Sequence, residues 1–177
     1  MKITRAEPHP VLRHIVRSFE ERRVDLASTV LSCPAAPRPQ QILAFHLAQP
    51  FRVRVNGAPA RNVPETVVVG PQTFPRAHLY LSGEIHVFNI LFQPAGLNRL
   101  IGIDMRSLVD RAARASDVMG KSAARLSDAV RLASSFPERV RAAEQWLYRA
   151  LDDRAPLDEA IGFCIEPTDH SVRTDSC

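Results

Sequence analysis

The sequence predicts an α+β protein: a small antiparallel β-barrel or sandwich, preceded by one helix and followed by a C-terminal helical subdomain. Three observations carry this prediction. Between residues 42 and 92, short β-branched and aromatic runs are separated by Asn-Gly, Gly-Pro and Ser-Gly turn signals, the punctuation of an antiparallel barrel or sandwich. From Pro94 to Asp153 the apolar residues change to a spacing of three and four, the period of amphipathic helices. Strands followed by helices, rather than alternating with them, define the α+β class.

The first element is expected to be a helix. Pro10 suits a first helical position, where its missing N–H costs nothing. Val11, Leu12, Ile15, Val16 and Phe19 then recur at helical spacing and leave Arg13, Arg17, Glu20 and Glu21 to face water. Ser32 to Gln41 holds three prolines and must be a loop or extended connector.

The strands come next. QILAFHL interleaves Ile42/Ala44/His46 with Leu43/Phe45/Leu47, so both faces are largely apolar and the strand belongs inside a sheet covered on both sides. FRVRVNG places Phe51, Val53 and Val55 inward, Arg52 and Arg54 outward, and ends at the turn signal Asn56-Gly57. ETVVVG is a β-branched strand closed by Gly70-Pro71, and HLYLSG and EIHVFNILF are expected to pair through Ser82-Gly83.

Three helices complete the domain. Pro94 opens one carrying Leu97, Leu100 and Ile101, with Gly102 as its stop. Ser122 to Ser135 aligns Leu126, Ala129, Val130 and Ala133. Pro137 opens a longer helix with Val140, Ala143, Leu147, Ala150 and Leu151 in step. Residues 1–155 are thus expected to form one domain. After Pro156 the pattern decays: LDEAIGFCI has the composition to start one more helix, EPTDHSVRTDSC is polar and aperiodic, and residues 156–177 are expected to be a disordered tail.

Composition sets the class. The 177 residues, 45% apolar and 24% charged, suit one soluble globule with a real core. The N-terminus has no apolar signal region, and no run approaches the ~20 residues of a membrane span. Cys33, Cys164 and Cys177 form no pairing pattern and fit reduced thiols, so a cytoplasmic protein is expected. The net charge of +4 comes from 21 Arg and 2 Lys spread along the chain. A nucleic-acid footprint would be a stripe on one face, so solvated surface arginines are expected and direct nucleic-acid binding is not.

The order and wording of several segments resemble one family. PHPVLRHIVRSFEER, PAAPRPQQILAFHLAQPFRV, VVVGPQTFPR, FNILFQPAGLNRLIGIDMRSLVDRA and FPERVRAAEQWLYRAL, spanning Pro8 to Leu151, together resemble the N-terminal sensor domain of AraC-type bacterial transcription regulators. The resemblance implies a cupin-like β-barrel that senses a small-molecule effector or mediates dimerisation. In such regulators a C-terminal domain with two helix-turn-helix units reads promoter DNA. Residues 152–177 offer no second periodic helix after a short turn, as a helix-turn-helix requires. The DNA-reading half is therefore expected to be absent. The chain is then a truncated product, which the aperiodic tail favours, or a stand-alone domain pairing with itself or with full-length relatives.

The chemical candidates are few. A metal-dependent cupin-like enzyme, the rival reading, needs closely spaced imidazole and carboxylate ligands. His78 and His86 are candidates to face each other on paired strands, with His46 approaching from another and Glu84 as the nearby carboxylate. His86, however, shares its parity with Phe88, Ile90 and Phe92, as a packed core histidine would. Neither Ser82-Gly83 nor Cys33 has the setting of a nucleophile, and Gly70-Pro71-Gln72-Thr73 is no phosphate loop. No catalytic residue, metal or cofactor is expected. If the barrel holds an effector, Phe45, His46, Tyr80, His86, Asn89 and Gln93 are the inward candidates, with barrel filling as the alternative role. Asn89, polar within VFNILF, must find partners in the backbone or in a ligand. The stripe of the last helix fits packing against the barrel or dimerisation, and Trp146 lies off its centre, as an interface aromatic would.

Overall fold

The computed structural model describes residues 1–153, so the tail expected over 156–177, with Cys164, His170 and Cys177, lies outside the described residues. The strands are β1 (Lys2–Ala6), β2 (Val16–Asp25), β3 (Leu31–Pro34), β4 (Ile42–His46), β5 (Arg52–Val55), β6 (Arg61–Asn62), β7 (Thr66–Val69), β8 (Ala77–Leu81) and β9 (Glu84–Phe92). Helix α1 (Gly96–Ile101), strand β10 (Ala112–Arg114) and helices α2 (Ala115–Met119), α3 (Lys121–Leu132) and α4 (Phe136–Asp152) follow. The strands form two antiparallel sheets, a larger one ordered β1-β2-β9-β4-β7-β10 and a smaller one ordered β3-β8-β5-β6. The architecture is α+β, two packed sheets with a C-terminal helical layer.

Residues directly opposite on paired strands share a face, and successive residues alternate between faces. The registers therefore sort the larger sheet into two sets of side chains. Phe19, Ile90, Leu43 and Val68 lie in one row, and Phe88 and Phe45 in the next row on the same face. All six are fully buried and pack with Leu97 and Leu100 of α1, Leu126 and Val130 of α3, and Ala143 and Leu147 of α4. The other face carries Ile42, Ala44, Val67, Val69 and Val87, which meet Phe51, Val53 and Val63 in a second, smaller cluster. The main core thus lies between the larger sheet and the helices, not between the sheets. Each fully buried Phe or Leu there contributes about 1.5–3 kcal/mol.

The opening helix expected from residues 10–19 does not form. Pro10–Leu12 is a single 3-10 turn, and β2 starts at Val16. Leu12, Ile15, Val16 and Phe19 are all buried in the main core, so their helical spacing is real but arises otherwise. Val16 opposes Phe92 and Ser18 opposes Leu91, leaving Arg17 as the extra residue of a β-bulge. The bulge resets the alternation, so Val16 and Phe19 reach one face at a separation that a regular strand forbids. A turn joined to a bulged strand imitates the helical period.

Two further expectations change. HLYL and EIHVFNILF do not pair, because β8 and β9 belong to different sheets and the Ser82-Gly83 turn passes the chain between them. Glu20 and Glu21 do not face water. Glu20 is 3% exposed, and Glu21 accepts from Arg139 Nη1 of α4 at 3.0 Å. Strands β1, β6 and β10 and helix α2 are short segments whose apolar content is too low to set a period, and β3 forms at the start of the proline-rich connector through its pairing with β8. The later helices follow expectation. Gly102 ends α1 in the left-handed region at φ 70°, and Ser135 with Glu138 forms a capping box before Pro137 on α4. In α3 the buried stripe is Ala123, Leu126 and Val130, while Ala129 turns to solvent.

The Gly70-Pro71 turn seats the end of β7 against the segment leading to β10. A Cβ added at Gly70 would stand 1.9 Å from the Leu108 carbonyl oxygen, and the Gly70 N–H donates to Arg111 O at 2.9 Å. Gly70→Ala should therefore lower stability by roughly 2–4 kcal/mol in urea unfolding. A loss below about 0.5 kcal/mol, the scale of ordinary surface changes, would show that this contact yields freely.

Candidate functional site

The inter-sheet face of the larger sheet is where polar groups converge. Glu20 of β2 sits opposite Asn89 of β9, which sits opposite Ala44 of β4. The bulge at Arg17 gives Glu20 this orientation. Arg5 of β1 faces Glu20 in register and donates Nε to Oε2 at 2.8 Å. Arg22, two residues along β2 and hence on the same face, donates Nε to Oε1. Arg38 arrives from the proline-rich connector, which is tied down where Gln72 N donates to Arg38 O at 2.8 Å. Its charge interacts with those of Arg22, Glu20 and Arg5. Three guanidinium groups thus surround one buried carboxylate, beside the apolar strip of Ala44 and Val67.

The electrostatics follow from that count. Burial pushes the Glu20 carboxyl upward, but the hydrogen bonds and charges of Arg22 and Arg5 outweigh it and hold it below the usual carboxylate range. Burial, with repulsion from Arg22 and Arg5 against a partial offset from Glu20, pulls Arg38 below the ordinary arginine value. Among the described residues Arg38 has no hydrogen bond or ion pair through its guanidinium, and the half-buried Asn89 amide has no hydrogen bond. Within the cluster these two side chains spend no donor on the protein, whereas Arg5 and Arg22 each spend their Nε on Glu20.

The six residues expected in a pocket are spread over several surfaces. Phe45 is fully buried in the main core, 5.9 Å from the Phe88 ring centroid. His86 shares that helix-facing side and lies 3.3 Å from Glu21 Oε1 through Nε2, without the alignment of a hydrogen bond. His46 and Asn89 share the inter-sheet side of the larger sheet. His46 is 5% exposed, its Nδ1 lies 2.7 Å from Pro64 O, and its ring stands edge-on to Phe51 at 5.0 Å. Tyr80, in register with Arg52 and Ser32, lies on the face of the smaller sheet opposite Val53. Its ring carries Arg54 at 5.8 Å. Gln93 closes the end of β9, donating Nε2 to Arg13 O at 3.0 Å.

The histidines are likewise apart. His78 lies 2.7 Å from Ser32 Oγ on the face of the smaller sheet that carries Tyr80, His86 faces the helices and His46 faces the sheet interior. Among the described residues no group of three His, Cys, Asp or Glu side chains is placed to hold a metal ion. Sequence reasoning found Asn89 but missed Glu20, Arg22, Arg5 and Arg38, because a bulge is needed to turn Glu20 inward and a loop to bring Arg38 to it.

Residues 4–114 match the family described as a domain of unknown function, DUF6597. The chain belongs to that family. Comparison with curated proteins finds no relative. Among solved structures, ToxT from Vibrio cholerae is similar over 85% of this chain and 61% of its own, at 9% identity and a TM-score of 0.43. A cupin 2 conserved barrel domain protein from Salinispora arenicola CNS-205 is similar over 55% and 80%, at 13% identity and 0.38. The DMSP lyase DddQ from Ruegeria pomeroyi DSS-3 is similar over 43% and 38%, at 15% identity and 0.33. The chain therefore spans well under half the length of the lyase and about three fifths of ToxT. Likenesses this distant assign no activity or ligand. No helix among the described residues is long and apolar enough to cross a membrane.

Two pH effects follow. Burial lowers the His46 pKa below the ordinary histidine value, with the Arg131 charge adding to it and the Pro64 carbonyl opposing. The folded state thus binds its proton less readily than the unfolded state does, and stability falls as pH drops through about 6.5. His46→Gln should flatten that part of a plot of melting temperature against pH; an unchanged slope would acquit His46. Glu20 has the same sign at lower pH. Its ion pairs stabilise above the unfolded carboxylate range of about 4.3 and are lost as pH falls through the depressed folded value. The stability gap between the native chain and Glu20→Gln should therefore close on acidification, and a gap independent of pH would contradict the charged assignment.

Proposed function

We propose that this chain is a regulatory, effector-sensing domain of the AraC type rather than an enzyme. The carrying observation is the pair of unspent donors, Arg38 and Asn89, on the inter-sheet face beside Ala44 and Val67. An apolar wall with a few convergent polar groups suits recognition of a small molecule. The helical layer covers the opposite face of the same sheet, so occupancy between the sheets can be passed through β4 and β9 to α3 and α4. Arg131 of α3 supports this coupling, because it donates to His46 O at 2.9 Å and pairs with Glu65 at 3.2 Å. The segments resembling AraC-type sensor domains support the regulatory reading. Pairing with a second copy or with a full-length regulator is part of it, and DNA reading by residues 1–153 is not.

The test is a melting screen of the full chain against small metabolites, followed by calorimetry on the hits. A saturable rise in melting temperature is expected, with Asn89→Leu and Arg38→Leu each weakening binding about tenfold. Three results would sink the proposal: turnover of a bound compound, stoichiometric Fe, Mn or Zn held by His46, His78 or His86, or sequence-preferring DNA binding by the chain itself.

A further inference from the structure

An open groove lies wholly within the helical layer, away from the inter-sheet face. Its volume is about 420 Å³, within the roughly 300–1,000 Å³ of small-molecule sites. Leu100 and Ile101 of α1, Val118 and Met119 of α2, and Trp146 and Ala150 of α4 line its apolar part. All six belong to or pack against the main core, so the wall is backed by fixed structure. Trp146 is itself positioned, since its Nε1 donates to Ser122 Oγ of α3 at 2.7 Å. The indole N–H is thereby satisfied within the protein, and the ring presents apolar surface to the groove.

The charge on this site is uneven. Arg125 of α3 and Arg149 of α4 both line it, together with Asp153 just past the end of α4. Neither guanidinium has a hydrogen bond or ion pair among the described residues, although elsewhere Glu20, Glu21, Glu65 and Glu84 each pair with an arginine. Two free guanidinium groups beside an apolar wall ask for an anion attached to an apolar body. A purely apolar occupant leaves both cations unused, and a purely ionic one leaves the wall wet.

We infer that this groove binds a small amphipathic anion, an apolar body carrying a carboxylate, with the body against Trp146, Met119 and Val118 and the carboxylate between Arg125 and Arg149. The volume suits a small molecule rather than a partner helix, whose contact would extend over a much larger surface. Asp153 repels the same headgroup and holds the affinity down. This site is independent of the inter-sheet one, and either can fail alone.

Trp146 is the single tryptophan of the chain, so its fluorescence reports directly on the groove. The full chain is titrated with decanoate below its micellar range, with decanol and acetate as controls at matched ionic strength. Decanoate should give a saturable change in Trp146 emission, decanol should bind about tenfold more weakly and acetate should give no change. Arg125→Gln and Arg149→Gln, both exposed and therefore compatible with folding, should each weaken decanoate about tenfold, while Asp153→Asn should tighten it. Ala150→Phe, which fills the groove, should abolish the signal; far-UV circular dichroism checks that each variant is folded. Equal binding of decanol and decanoate would overturn the anion assignment. No saturable change would overturn the site, and so would a groove occupied by a second copy, seen as self-association that decanoate does not disturb.

Discussion

The fold depends on the pleat of β9. Phe88, Ile90 and Phe92 point to one side and Val87, Asn89 and Leu91 to the other, and the two sides meet different partners. One receives the helices and becomes the main core, while the other faces the smaller sheet. Every other strand of the larger sheet takes its orientation from this division through register. The helical layer is part of the core itself, because without α1, α3 and α4 the inward side chains of β9, Phe88, Ile90 and Phe92, would lie open. Exposing a surface of that size is not tolerated in a soluble domain.

The same division separates the two chemistries of the molecule. Toward the helices, the charged groups are few and paired, as with Glu21 and Arg139, because a dry core penalises an unpaired ion. Between the sheets the apolar cluster is smaller, and it leaves room for Arg22, Arg38 and Asn89. Those three side chains are only half-buried, so excess positive charge is tolerable there.

The β-strand core was legible because β4, β5, β7 and β9 carry patterns decided by their own residues. The helices α3 and α4 were legible for the same reason. What escaped depends on pairs of distant segments. Residues 12, 15, 16 and 19 give a helical period whether they fold as a helix or as a turn and a bulged strand, and only pairing with Phe92 and Leu91 decides between them. The Ser82-Gly83 turn has the same chemistry whether it closes a hairpin or hands the chain to another sheet. The polar cluster was invisible for a related reason. Glu20 and Arg38 are far apart in sequence, and each alone resembles an ordinary surface residue.

The bulge at Arg17 is the one point of β2 where a residue can be lost without turning the strand over. With Arg17 removed, Val16 and Ser18 would be neighbours in regular alternation, Val16 still opposite Phe92 and Glu20 still opposite Asn89. A residue lost further along β2 has no such slack and would exchange the two sides of the strand on one side of the loss. Substitutions at Arg17, which points to solvent, disturb neither side. In descendants of this sequence, residue 17 should therefore drift freely in type or disappear, while single-residue deletions in the regular part of β2 are purged.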